Sequence, residues 1–162
     1  MTFEKADFVE GVIDGVIEKV PAVNKDDRGW LVEFFRTDDI QINLKREMAY
    51  ISGTNPLLVR GPHMHREQTD YFCFLGIGSF VLYLWDNRPD SKTYGWRQAI
   101  DIDTPRIVVV PPMVVHAYKN VSESEIGVVM NIPDKLYAGV NKSEPVDEVR
   151  FENNPNSPFK IW

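Results

Sequence analysis

A single cysteine, Cys73, excludes an intrachain disulfide in this chain of 162 residues, and a lone thiol inside an apolar run fits a reducing compartment. Basic runs are missing too. Eighteen Lys and Arg against 24 Asp and Glu leave a formal net charge of -6. That balance argues against nucleic acid as the main partner, yet it allows a few arginines to surround an anionic small molecule. No apolar stretch is long and uninterrupted enough to cross a bilayer, so no membrane partner is expected. The N-terminus carries Glu4, Asp7, Glu10 and Asp14 where a signal peptide needs a basic start and an apolar segment. These absences predict a cytoplasmic protein. Repeats, low-complexity stretches and linkers are also lacking, and 43% hydrophobic with 26% charged residues predicts one compact domain over residues 1–162.

Windows of helical period are scarce, whereas short apolar and aromatic runs recur between Gly, Pro, Asn and Asp clusters. An all-β fold follows, with at most a short helical turn near Thr37 to Leu44. The expected strands are Val12–Val20, Leu31–Arg36, Glu47–Gly53, Asp70–Leu75, Ser79–Asp86, Trp96–Ile102, Arg106–Val110, His116–Asn120 and Ile126–Ile132. In "SFVLYLWD" both alternating faces are apolar: Phe80, Leu82 and Leu84 on one, Val81, Tyr83 and Trp85 on the other. One face should line a barrel, and the other should meet a second sheet or a second subunit. Strands of this number and spacing suggest a sandwich or jelly roll. Residues 1–10 read as an N-terminal arm. Residues 141–162 read as a polar surface tail, anchored at its end by "FKIW".

All three histidines are candidates for chemistry. His63 and His65 in "VRGPHMHREQTDYF" share a face if that segment is extended, and Asp70 follows closely enough to return beside them. His116 lies in "PPMVVHAYKN". Imidazoles and a carboxylate on one barrel face suit a divalent transition metal. A neutral imidazole can equally take a proton from a carbon acid, provided another group orients it. The plainest alternative is a set of hydrogen-bonded histidines in a polar pocket. Arg28, Arg60 and Arg88 adjoin turn residues, where a guanidinium pairs with an Asp or faces a phosphate.

Taken in order, "DDRGWLVEFFR" from Asp26, "VRGPH" from Val59, "DNRPDSKTYG" from Asp86, "VPPMVVHAY" from Val110 and the closing "IW" resemble the dTDP-4-dehydrorhamnose 3,5-epimerase family of the cupin superfamily. The resemblance implies a cupin-type double-stranded β-helix, a jelly-roll barrel, in a homodimeric isomerase of nucleotide-sugar metabolism. It implies inversion of carbons beside a C4 ketone, in cell-surface polysaccharide biosynthesis, without metal or organic cofactor. His63 would be the base, Arg60 would bind the phosphates of the sugar nucleotide, and His116 would line the pocket. Arg28 and Glu33 would contact the nucleotide across the dimer.

The chain also departs from the family pattern. His65 stands where the family has glutamine, Tyr71 falls in the register of a catalytic lysine, and Val129 or Met130 falls near the general-acid tyrosine. The family also extends beyond the equivalent of Trp162 to an aspartate that pairs with the base. Tyr137 matches a further pocket aromatic, and Tyr71, Tyr118 or Tyr137 is the expected substitute acid, with Asp70 orienting an imidazole. Two alternatives use the same fold. In a metal-dependent cupin, His63, His65, Asp70 (or Glu67) and His116 would hold one divalent transition metal. In a noncatalytic cupin, the pocket would only bind sugar.

Overall fold

The computed structural model describes residues 8–38 and 45–162. In chain order the strands are β1 Val9–Glu10, β2 Ile17–Lys19, β3 Val23–Asp26, β4 Gly29–Val32, β5 Tyr50–Thr54, β6 Val59–Met64 and β7 Asp70–Phe74. They continue as β8 Phe80–Asp86, β9 Trp96–Ile102, β10 Arg106–Val110, β11 Val114–Asn120, β12 Gly127–Asn131 and β13 Val149–Arg150. One sheet runs β1-β9-β8-β11-β6-β13 and the other β2-β10-β7-β12-β5, while β3 and β4 form a separate hairpin. The two sheets make an all-β jelly-roll barrel. Among the described residues the only helical element is a single 3-10 turn, Val140–Lys142. Thr37 and Asp38 lie in a turn, and the rest of the expected helical turn there falls outside the described residues.

Side-chain alternation fills the space between the sheets. Phe80, Leu82 and Leu84 of β8 meet Phe72 and Phe74 of β7, with Val108, Val110, Val114, Tyr118 and Val129 completing the core. The opposite face of β8 finds its cover within the same chain. Tyr83 and Trp85 pack with Phe151 and Phe159, and the Trp162 ring lies 5.6 Å from that of Trp85. The expectation of a second sheet or subunit over that face is therefore corrected.

The tail is corrected in part. Most of residues 141–158 are exposed and Phe159 is buried within the expected "FKIW" anchor, but β13 adds to the edge of β6 and Phe151 is buried too. Burial of one such ring stabilises the fold by roughly 2 kcal/mol. Of the N-terminal arm, residues 8–10 are described: Phe8 packs on Phe159 with centroids 5.7 Å apart, and β1 pairs in parallel with β9.

Expected strand boundaries fail where the backbone turns. Val12–Val20 is reduced to Ile17–Lys19, because Asp14 and Gly15 form a turn in which Gly15 takes a φ of 77°. Strand β6 had no strong strand signature, since Gly61 and Pro62 sit in its middle.

Candidate active site

Strands β6 and β11 pair in a register that sets His63 directly opposite His116. Their approach requires a glycine beside them: at Gly61, with a φ of 86°, a Cβ would come within 2.6 Å of the His116 carbonyl oxygen. His65 follows β6 immediately, two residues on from His63, and the two rings lie 5.7 Å apart. Asp70 opens β7 in the other sheet and shares its inward face with Phe72 and Phe74. The His63 and His116 Nε2 atoms are 3.1 Å apart. One carboxylate oxygen of Asp70 lies 3.4 Å from His116 Nε2 and 3.5 Å from His65 Nε2.

Backbone carbonyls assign the tautomers. His116 Nδ1–H donates to the Val114 carbonyl at 3.1 Å, and His65 Nδ1–H donates to the Asp147 carbonyl. Neutral His116 thus keeps a lone pair on Nε2, so the hydrogen between His63 and His116 belongs to His63. The second oxygen of Asp70 accepts from Gln68 Nε2 and Asn131 Nδ2, both at 2.8 Å. Burial pushes the His63 imidazolium down to about 2, and the neighbouring His116, His65 and Arg150 charges act in the same direction. Burial likewise lowers His116, against the attraction of Asp70. Both rings are neutral at physiological pH. The Glu148 carboxylate stands 3.9 Å from His63 Nε2, close to where positive charge appears if that ring takes a proton.

Two hollows meet at His63. One, of about 400 Å³, is lined by Tyr50, His63, His65, Gln68, Tyr137 and Glu148 among others. The second, of about 340 Å³, adds Ser52, Arg60, Phe72 and Tyr118. Tyr50, His63, Glu148 and Arg150 belong to both. The cleft is mixed in charge, with Lys135, Lys142, Arg60 and Arg150 set against Asp147, Glu148 and Glu152.

The fold thus gathers His63, His65, Asp70 and His116 and places Arg60, Tyr118 and Tyr137 around them. It does not gather every expected residue. Tyr71 faces out of the barrel among Cys73, Ile107 and Val109, donates its hydroxyl hydrogen to the Phe34 carbonyl at 2.7 Å and lies under Arg46. The position facing the cleft is Asp70, one residue earlier. Arg28 pairs with Asp26 on the β3–β4 hairpin and Glu33 pairs with Arg36. Neither lines a hollow around His63. Glu67 is exposed and ion-paired with Lys135, so Asp70 is the carboxylate of the histidine cluster.

Sequence reasoning missed Tyr50, Asn131, Asp147, Glu148 and Arg150. Asp147 accepts the backbone N–H groups of Arg66, Glu67 and Gln68. Those three bonds fix the turn that carries His65 toward Asp70. The only sequence signal for this segment was its acidic character, which reads equally as a solvated tail.

The family model described as dTDP-4-dehydrorhamnose 3,5-epimerase matches residues 10–143. A probable low-salt glycan biosynthesis epimerase of Haloferax volcanii is 33% identical over 143 residues, covering 86% of this chain and 88% of the relative. A spore coat polysaccharide biosynthesis protein of Bacillus subtilis is 30% identical over 122 residues, 73% of this chain and 78% of its own. Among solved structures, a 3'-monoepimerase of Streptomyces bikiniensis in complex with dTDP-quinovose superposes with a TM-score of 0.76 at 16% identity, covering 96% of this chain and 78% of that one. The match extends over most of the sequence and both sheets of the barrel, and the chain belongs to the dTDP-4-dehydrorhamnose 3,5-epimerase family.

Proposed function

We propose that this protein is a sugar-nucleotide epimerase that inverts a carbon beside the C4 ketone of a nucleotide-linked 4-keto sugar. We place it in the assembly of cell-surface polysaccharide, as a cytoplasmic homodimer. The observation that carries the reading is His63, a neutral imidazole at the junction of two hollows in a chain of this family. The glycan and polysaccharide roles given for the relatives support the pathway class. The dTDP-sugar bound to the structural neighbour supports the substrate class.

In this mechanism the sugar occupies the larger hollow and the phosphates lie toward Arg60. The guanidinium of Arg60 is held by Thr54 Oγ1 at 3.0 Å and the Gly53 carbonyl at 2.6 Å, which orients it for an anionic group. His63 removes the proton α to the ketone, the C–H electron pair becomes the enolate, and Glu148 stabilises the resulting imidazolium. Asp70, held by Gln68 and Asn131, lies beside His116 and His65 behind the base, while the Val114 and Asp147 carbonyls orient the two rings.

A second reading rests on a specific observation: ligand atoms of His63, His65 and His116 lie within 4.8 Å of one another. With Nδ1 hydrogens turned to carbonyls, the Nε2 lone pairs of His65 and His116 and the Asp70 carboxylate fit a divalent transition metal. Such an ion would supply Lewis-acid polarisation of the ketone, and the chain's part would be to hold it and leave His63 free to move the proton.

Incubation with a panel of 4-keto sugar nucleotides in heavy water tests the function. Deuterium entering the carbon beside the ketone is the expected result. Its absence with every member of the panel, alongside tight sugar-nucleotide binding, would leave a binding protein. Exchange that survives a chelator supports the metal-free site, and exchange lost to the chelator and restored by one divalent ion selects the metal.

A further inference from the structure

A base that removes a proton completes an inversion only if another group returns one to the opposite face, and Tyr71 cannot be that group because it faces out of the barrel. The remaining tyrosines of the cleft differ in where their hydroxyl hydrogens go. Ser52 Oγ reaches the Val129 carbonyl at 3.5 Å, so the 3.0 Å contact between Ser52 and Tyr118 takes up the hydrogen of Tyr118. Tyr137 is more than half exposed at the rim.

Tyr50 is different, and the reason is Asn131. The Asn131 side-chain oxygen accepts the Tyr71 backbone N–H at 2.9 Å, which fixes the orientation of the amide. Both hydrogens of its nitrogen are then committed, one to Asp70 at 2.8 Å and one to the Tyr50 oxygen at 3.0 Å. The Tyr50 oxygen is therefore an acceptor in that bond. Its own hydrogen meets no other hydrogen-bond partner among the described residues, and the side chain lines both hollows beside His63.

Strand register explains the placement, since Tyr50 of β5 pairs with Asn131 of β12 at the end of the sheet that faces the cleft. The ring lies at the open mouth, 43% exposed overall, while the hydroxyl reaches inward to the fully buried Asn131. Burial raises its pKa to about 12, and the nearby Asp70 charge adds to this against the bond from Asn131. A phenol so raised keeps its proton until a strong base such as a carbanion appears.

We infer that Tyr50 is the catalytic acid of this site, delivering its proton to the carbon that His63 has deprotonated, from the side of the sugar ring away from His63. This assignment rests on the epimerase reading above. In the step, the Tyr50 O–H bond breaks and a C–H bond forms from the enolate electron pair. The C4 carbonyl is restored, and the phenolate is reprotonated from solvent as His63 releases its proton.

The test is Tyr50→Phe, which keeps the ring, in heavy water with a 4-keto sugar nucleotide that the parent turns over. The expected result is that deuterium still enters the carbon beside the ketone within about threefold of the parental rate, while inverted product falls by at least about 100-fold. An unchanged melting temperature and nucleoside diphosphate affinity show that the fold and pocket persist. Inversion at the parental rate overturns the assignment. So does joint loss of exchange and inversion with binding intact, which would place Tyr50 in the first step. A parent that neither exchanges nor inverts overturns the epimerase reading itself, before any variant is compared.

Discussion

His63 and His116 face one another across β6 and β11 with their Nε2 atoms 3.1 Å apart, and only one hydrogen fits between them. Because His116 donates its other ring N–H to the Val114 carbonyl, it accepts from His63. Loss of either ring therefore alters the protonation of the other.

Replacement of the base separates chemistry from binding. His63→Asn should lower solvent exchange beside the ketone by at least about 100-fold while nucleoside diphosphate affinity stays within about twofold of the parent. Exchange is followed by NMR and affinity by calorimetry. Full exchange by the variant in chelator-treated buffer would remove His63 from the role of base.

Asp147 holds the turn at His65 through three backbone N–H groups and the His65 ring itself. Asp147→Ala should cost about 1–3 kcal/mol of stability, from the donors left without partners. It should also lower kcat by about tenfold or more through misplacement of the cluster. Denaturant titration and steady-state kinetics read the two effects separately. A variant that loses stability but keeps kcat would confine Asp147 to the fold.

Phe159 is buried among Phe8, Trp85 and Phe151, with ring centroids 4.8 to 6.0 Å away. Phe159→Ala should destabilise the protein by about 3–5 kcal/mol. The same tail carries Asp147, Glu148 and Arg150, so activity should disappear at a lower urea concentration than in the parent. A midpoint unchanged from the parent would mean that the tail does not hold the outer face of β8.

Asp86 gives the pH dependence a sign. Burial raises its carboxyl, but hydrogen bonds from Arg88, Ser91 and Thr93 outweigh that and hold it down to about 2, against an ordinary value of 3.8. Folded Asp86 therefore binds its proton more weakly than unfolded Asp86. The stability it contributes is complete above pH 3.8 and is lost as the pH falls toward 2. Unfolding free energy should decline across that window, and Asp86→Asn should be less stable at neutral pH and lack that part of the decline. Equal acid slopes in the two proteins would assign the acid transition to other groups.

Local pattern was enough for the strand-rich class and for much of the site. His63 and His65 share a face because the strand period is two residues, a property of the backbone that needs no partner strand. Asp70 returns beside them because only a short turn separates it from His65. The phase of β7 was a different matter. Tyr71 and Cys73 on one face are as apolar as Phe72 and Phe74 on the other, so alternation gave the period without saying which face looks inward. Packing of β10 and β12 on either side decided it, turning Asp70 to the cleft and Tyr71 away.

The rest of the cleft depends on residues far apart in sequence. Asp147 meets His65 from 82 positions away, and Tyr50 meets Asn131 from 81. Each looks like an ordinary polar or strand residue where it stands. The sequence by itself determined an all-β fold whose motifs resemble this family and set His63 and His65 on one face, because periodicity and motif order are local, whereas the pairing of β6 with β11 brought His116 opposite His63. Only the tertiary structure decided which tyrosine keeps a proton for the cleft and which carboxylate faces His63. Both depend on strand register, which is set by the packing of the whole barrel.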